Sequence, residues 1–270
     1  SLTPLNIASF AEGSLSGKRP KSIACCSQTS VVLCTDGTVH IFGVRFAGSN
    51  GSSAGVSEAQ YAVNISGGGS LSGKTASKIF CGNNFVFILC SDNTLHAFGS
   101  NGSGQLGTGN TNATPVIDTN NYRPSPVSMG SNGSLNGKTI STVACGYNHT
   151  LVLCSDNTLH AFGDNQYGQL GTGNTTNVLT PVNITSNGSL SGKTIVQIAA
   201  GTYYTLVLCT DSLHAFGYNQ YGNLGLTNTS NVLTPTKVRD IVYQIPIPPV
   251  STELYTTSTI LTTSTLRSTA

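Results

Sequence analysis

Charge is what this chain has least of. Only 8% of its 270 residues are charged and the formal net charge is +2, against about 25% charged residues in an average soluble domain. A surface this neutral exerts no general pull on nucleic acid or anionic membrane, so neither is expected as a partner. Tryptophan is absent and methionine occurs once. No apolar run approaches the roughly 18 residues of a spanning helix, and no apolar segment of the signal-peptide kind stands near the start. Beginning at Ser1 rather than Met, the chain reads as a processed product or a fragment. Long amphipathic helices are missing too: no window carries apolar residues at i, i+3, i+4 and i+7 without intervening glycine or β-branched runs. Nor is there a Gly-x-Ser-x-Gly elbow, a His-Glu-x-x-His pair or a phosphate loop. Glu12, Glu58, Asp118, Asp164, Asp240 and Glu253 stand singly rather than as acid–base pairs. No catalytic, cofactor-binding or metal-ligating residue is assigned, and the chain reads as a non-enzyme.

What fills the space is one pattern used four times: a Gly-Ser-Leu-x-Gly-Lys turn, an apolar strand, a second apolar strand ending in Cys, then a strand of the Leu-His-Ala-Phe-Gly type. The turns end at Lys18, Lys74, Lys138 and Lys193, a period of about 55 residues with one longer insertion, within the range of propellers and solenoids. In the third copy, Thr139 to Cys145 and His149 to Cys154 read as a hairpin around Gly146, Tyr147 and Asn148. Ser155, Asp156 and Asn157 form the next turn, Thr158 to Phe162 a third strand, and Pro181 to Ile184 a fourth at a sheet edge, where proline's missing N–H costs nothing. The fold class is all-β: a β-propeller of four repeats (about 4–59, 60–121, 122–179 and 180–241), closed as a four-blade ring or open as an arc, with an extended tail over 242–270.

The run Val143-Ala-Cys-Gly-Tyr-Asn-His-Thr-Leu-Val-Leu153, followed by Ala161-Phe-Gly-Asp-Asn-Gln-Tyr-Gly-Gln-Leu-Gly171, resembles the repeat of the regulator of chromosome condensation family. The resemblance covers roughly Pro4 to Ile241 and implies β-propeller blades. Familiar members close seven blades, so four repeats imply a small ring, an arc completed by another chain, or a piece of something longer. The family's nucleotide-exchange members act on a small nuclear GTPase and touch chromatin; no exchange-surface residue maps onto this chain. The first copy departs most, with Val44-Arg-Phe-Ala-Gly48 in place of the Asn and Gln-Leu-Gly pattern and Cys26 where Gly82, Gly146 and Gly201 stand elsewhere, as expected of a cap or of a blade rebuilt to meet a neighbour.

Several recurrent side chains invite chemistry. His40, His96, His160 and His214 share one repeat position, but blade geometry holds equivalent positions apart and no carboxylate recurs beside them, so strand packing is expected rather than a metal ring. His149, without a counterpart, reads as structural. Asp36, Asp92, Asp156 and Asp211 form turns. The four repeat lysines lie on one rim, at most a modest basic ring of solvated turns. Cys25–Cys34, Cys81–Cys90 and Cys145–Cys154 sit too far apart along their hairpins to pair. Most of the eight cysteines are read as small apolar residues; Cys26 alone is placed to meet another cysteine, between subunits.

Asn-x-Ser/Thr triplets at Asn50, Asn64, Asn101, Asn132, Asn148, Asn174, Asn183, Asn187 and Asn228 are candidate glycan acceptors. After Asp240 come Pro246, Pro248 and Pro249 and then a Thr/Ser-rich tail in which Tyr255, Ile260, Leu261 and Leu266 are candidate contacts for strand addition to a sheet edge. Together these point to an extracellular or cell-surface glycoprotein, a structural subunit that associates with other copies of itself through the tail, into a filament. The alternative is a monomeric glycan- or protein-binding propeller that reads its ligand through loops such as Ser100 to Asn121 and an aromatic face of Tyr147, Tyr167, Tyr203 and Tyr221. A third reading is an intracellular guanine-nucleotide-exchange-factor relative.

Overall fold

The computed structural model describes residues 13–45, 57–111, 122–129 and 132–238. They build four sheets of four antiparallel strands, each a meander in chain order. Blade 1 holds β1 (Pro20–Cys25), β2 (Thr29–Cys34), β3 (Val39–Arg45) and β4 (Ser57–Asn64). Blade 2 holds β5 (Ala76–Cys81), β6 (Phe85–Cys90), β7 (Leu95–Ser100) and β8 (Tyr122–Ser128). Blade 3 holds β9 (Ile140–Cys145), β10 (His149–Cys154), β11 (Leu159–Gly163) and β12 (Val178–Asn183). Blade 4 holds β13 (Ile195–Ala200), β14 (Tyr204–Cys209), β15 (Leu213–Gly217) and β16 (Val232–Lys237). First strands of adjacent blades lie against one another: β1 with β5, β5 with β9, β9 with β13. The chain divides by contact into Ser1–Arg239 and Asp240–Ala270; every described residue belongs to the first unit. The tail candidates Tyr255, Ile260, Leu261 and Leu266, and Asn50, lie outside the described residues.

Second strands explain why the blades stack. Alternate side chains of a strand point to opposite faces, and β6 is apolar at every position because both its faces are covered. Val86, Ile88 and Cys90 enter the seam with blade 1, where Val31, Leu33 and Ile41 meet them. Phe85, Phe87 and Leu89 enter the seam with blade 3, against Val143, Val152 and Phe162. Leu151 and Leu153 repeat the arrangement toward blade 4, against Ile198, Val207 and Phe216.

The Gly-Ser-Leu-x-Gly-Lys turn proves to be a single turn of 3-10 helix in three copies, at Gly69–Leu71, Gly133–Leu135 and Gly188–Leu190. Its leucine plugs a seam: Leu71, Leu135 and Leu190 are buried between successive blades. Its first glycine is obligatory. Gly188 has φ +51° and a Cβ there would stand 2.3 Å from the Pro235 carbonyl oxygen.

In blade 3 the third and fourth strands run slightly differently from the sequence reading. The fourth begins at Val178, because Gly163 pairs with Val178 and a register irregularity follows before Ala161 meets Val182. Pro181 stands on this outer strand, at the sheet edge. Asn93 and Asn157 take the left-handed conformation (φ +64° and +67°) in the turn before the third strand. Each amide crosses to the next blade: Asn157 donates to the Lys193 carbonyl at 2.9 Å and accepts from the Ile195 N–H at 2.8 Å.

At each end of the four-blade series an apolar side chain is exposed where its counterparts are buried. Ile23, on the outward face of β1, is 74% exposed, whereas its counterparts Ile79, Val143 and Ile198 are 6–7% exposed. On the far face of blade 4, Leu208 is 41% exposed where Leu153 is 6%. On the same outward face of blade 1, however, Val32 and Cys34 are buried against Leu15. Among the described residues no helix is long and apolar enough to cross a membrane.

Candidate functional site

The four repeat histidines are fully buried scaffold. In each blade a Ser Oγ lies 2.6 Å from Nδ1: Ser14 with His40, Ser70 with His96, Ser134 with His160 and Ser189 with His214. The Thr or Ser hydroxyl two residues before the histidine lies 2.8–2.9 Å from Nε2. That hydroxyl also bonds the turn aspartate, as Thr158 does Asp156 at 2.6 Å. A carboxylate only accepts, so the Thr158 hydroxyl proton goes to Asp156 and His160 donates from Nε2, while the Ser134 hydroxyl sits between Nδ1 and the Pro181 carbonyl, 2.9 Å away. The chain ends on a lysine: Lys18–Asp36, Lys138–Asp156 and Lys193–Asp211 pair at 2.5–2.6 Å, and Lys74 pairs with Asp92. Burial first, then the nearby lysine charge, lowers all four imidazoles, His160 to about 4. The rim is thus a ring of ion pairs, not of free cations, and among the described residues no group of three His, Cys, Asp or Glu is placed to hold a metal.

His149 lies in the seam with blade 4. Its Nε2 meets the Thr205 hydroxyl at 3.2 Å; since that hydroxyl donates to the Gln169 carbonyl at 2.8 Å, the imidazole carries its proton on Nε2. Nδ1 is buried without a partner, and burial pushes the imidazole down to about 4.

All eight cysteines are free thiols, including the three hairpin pairs expected not to bridge. Cys26 does meet another cysteine, but within the chain: its thiol hydrogen-bonds Cys81, with Cys25 and Cys145 also near. Burial adds to that contact in raising the Cys81 thiol and by itself raises Cys145 most. So raised, the Cys81 and Cys145 thiols are poor nucleophiles, since the reactive species is the thiolate.

One group of exposed and half-buried side chains has no such scaffold explanation. The hairpin tips and loops of blades 3 and 4 bring together Tyr147, Tyr167, Tyr203, Tyr218 and Tyr221. Tyr167 is central, with ring centroids 5.2 Å from Tyr203 and 5.0 Å from Tyr218. Tyr147 lies 5.7 Å from Tyr203, and Tyr221 lies 5.9 Å from Tyr218. Interplanar angles of 49–71° are the tilted and edge-to-face arrangements that aromatic quadrupoles favour. Tyr167, Thr202, Tyr203, Tyr204, Tyr218, Tyr221 and Asn223 line a cavity of about 440 Å³. Burial and the neighbouring phenols raise Tyr203 and Tyr218, with Asp164 adding to Tyr203, so these two phenols stay uncharged at neutral pH. Tyr221 is 87% exposed. The sequence reading named four of these rings. It missed Tyr218 and Asn223, whose signal is that they replace Asp164 and Gln169 of the preceding repeat.

Four of the nine glycan candidates close Asx turns. In Asn64, Asn174, Asn183 and Asn228 the side-chain oxygen accepts the N–H two residues on, from Ser66, Thr176, Thr185 and Ser230, at 2.8–3.1 Å. That Asx turn requires a turn-favouring residue at the very position the Asn-x-Ser/Thr triplet names. Asn101 is fully buried and bonds Thr108, Asn110 and the Leu106 N–H. The amides of Asn132 and Asn187 donate to the Gly107 and Gly171 carbonyls, and Asn148 accepts from Gln105.

The fold and this patch define a class: a repeat propeller whose scaffold residues recur in every blade and whose aromatic surface occurs in one place. The model of the regulator of chromosome condensation (RCC1) repeat matches residues 92–153, 156–208 and 210–247, and a second model of the same repeat matches 76–105 and 140–169. The chain belongs to the RCC1 repeat family. It is 36% identical over 143 residues to the protein RCC2 homolog of Danio rerio, a stretch covering 51% of this chain and 25% of that protein. Over 159 residues it is 35% identical to the X-linked retinitis pigmentosa GTPase regulator of Homo sapiens, covering 58% of this chain and 14% of that one. Prp20p of Saccharomyces cerevisiae, solved in a study of its binding to Gsp1p and histones, superposes with a TM-score of 0.66 at 19% identity over 83% of this chain and 52% of its own. The matched stretch is therefore a quarter or less of those two curated relatives.

These relatives correct the leading functional expectation. The relatives are named for chromosome condensation, for GTPase regulation and for binding to Gsp1p and histones, and none of them supports an extracellular, glycosylated, self-assembling filament. The misreading has a physical source: asparagines next to Ser and Thr are abundant here because the loops are closed by Asx turns, as the hydrogen bonds above show.

Proposed function

We propose that this chain acts as a non-enzymatic, intracellular regulatory propeller that binds another protein through the tyrosine patch of blades 3 and 4. The observation that carries the reading is the patch itself. Interface centres are enriched in aromatic residues, tyrosine among them, and no other described surface gathers five rings in contact. The relatives supply the partner class: one is named a GTPase regulator, and the propeller Prp20p was studied for its binding to Gsp1p and histones. A small GTPase is accordingly the first partner to try. Exchange would proceed by displacement of nucleotide through binding energy, which needs no nucleophile or acid–base pair from this chain.

The test separates binding from exchange. Small GTPases loaded with fluorescent GDP are titrated with the protein, and complex formation and nucleotide release are followed independently. Binding without release supports a regulator of another kind; accelerated release supports an exchange factor; absence of binding across the panel overturns the GTPase reading.

A further inference from the structure

The tyrosine cavity opens at the far side of blade 4, where each internal seam receives the next blade. The residues that serve those seams have been replaced here. Asn157, which ties blade 3 to the next first strand from both ends of its amide, has no equivalent: the turn Thr210-Asp-Ser212 is one residue shorter than Ser155-Asp-Asn-Thr158. Asn148, which accepts from Gln105 of the preceding blade, becomes Tyr203, a ring at the same hairpin tip. His149, bonded across its seam to Thr205, becomes Tyr204. Asp164, which accepts from Gln169 at 3.0 Å within its own loop, becomes Tyr218. This side of blade 4 has given up polar ties and gained rings, so it suits an occupant unlike another blade of this pattern.

Its electrostatics say which. The faces of tyrosine rings are negative, and none of the seven lining residues is cationic. Asn223, in the wall, donates through Nδ2 to the Tyr218 carbonyl at 2.7 Å, but its Oδ1 is buried with no donor. Both ends of the corresponding Gln169 amide are used. The Asp164 carboxylate lies beside this cluster, close enough to act on Tyr203. Negative ring faces, an acceptor lacking a donor and a nearby carboxylate, with no positive charge, are complementary to a cation that carries N–H groups.

The geometry points to an arginine side chain of a protein partner as the occupant of the tyrosine cavity. A guanidinium is planar, stacks on aromatic faces and keeps several N–H donors free at its edge, so one group can cover a ring and satisfy Asn223. The inference rests on the protein-binding reading above and names the chemistry that the partner must present.

The test uses the intact chain and the peptide acetyl-Gly-Gly-Arg-Gly-Gly-amide, with its citrulline counterpart as the neutral isostere, followed by calorimetry or by amide shifts. Arginine is expected to bind saturably and citrulline about five- to tenfold more weakly, the size of a partly desolvated cation–π contact. Tyr218→Leu should abolish the difference while Tyr218→Phe, which keeps the ring, preserves it; thermal melts of both confirm folding, and Tyr221→Ala gives a smaller loss at a side chain no packing depends on. Equal binding of citrulline, tighter binding of a neutral oligosaccharide, or no saturable binding of either peptide overturns the proposal. The two readings fail separately. Arginine binding without any GTPase partner leaves the cavity assigned and removes the GTPase, whereas GTPase binding untouched by Tyr218→Leu does the reverse.

Discussion

The two faces of β14 carry the same kind of residue and meet different surroundings. Val207 and Cys209 are buried in the seam with blade 3, while Leu206 and Leu208, alternating with them on the same strand, look outward and are only partly covered. In β10 the equivalents are buried on both sides. An identical strand pattern thus yields a closed core or an open surface depending only on what lies next to it. Burial belongs to the seam, and the apolar run specifies the capacity to be buried.

The sharpest way to break this contrast is to make one substitution at two equivalent positions. Leu153→Ala, in the closed seam, should cost about 2–5 kcal/mol, as core truncations do, read from denaturant unfolding. Leu208→Ala should change stability by no more than about 0.5 kcal/mol. Equal losses would mean that the far face of blade 4 is covered in solution. Gly188→Ala, which forces a Cβ toward the Pro235 carbonyl at a left-handed φ, should cost about 1–3 kcal/mol, while the same change at Gly222, where a Cβ meets nothing within 4 Å, should cost only the φ strain.

Acid should weaken the fold through its buried histidines. His149 and His160 are held down to about 4 in the fold, below the ordinary 6.5. Between those values the unfolded chain binds more protons than the folded one, so stability rises with pH there. The contribution is complete above pH 6.5 and is lost as pH falls toward 4. His149→Phe, the aromatic that blade 2 carries as Phe85, should flatten the stability–pH slope in that window and remove the unpartnered Nδ1. The smallest effect is expected at the rim: Lys138→Ala breaks an exposed ion pair and should cost less than about 1 kcal/mol, fading as salt is raised.

Much of the fold was legible because its signals are local. Period-two runs, Asp-Asn turns and Gly-Lys punctuation mark the strands of blade 3 within one residue at β9 to β11, and only the start of β12 was displaced, by a bulge whose cause lies across the sheet in Gly163. The rim lysines read from sequence only as solvated turns, because each aspartate partner stands 18 residues away in chain and meets its lysine only in the folded hairpin. Tyr147, Tyr167, Tyr203 and Tyr221 could be named from composition. Tyr218 and Asn223 could not, since what distinguishes them is a contact that preceding blades make and blade 4 does not.

The paired rim has a kinetic consequence. With each repeat lysine matched to its own aspartate, the propeller projects little field beyond its surface, and a partner arrives by diffusion without long-range guidance. Association should then run at the unsteered rate of about 10⁵–10⁶ M⁻¹s⁻¹ and change little with ionic strength, leaving selectivity to how long the partner stays.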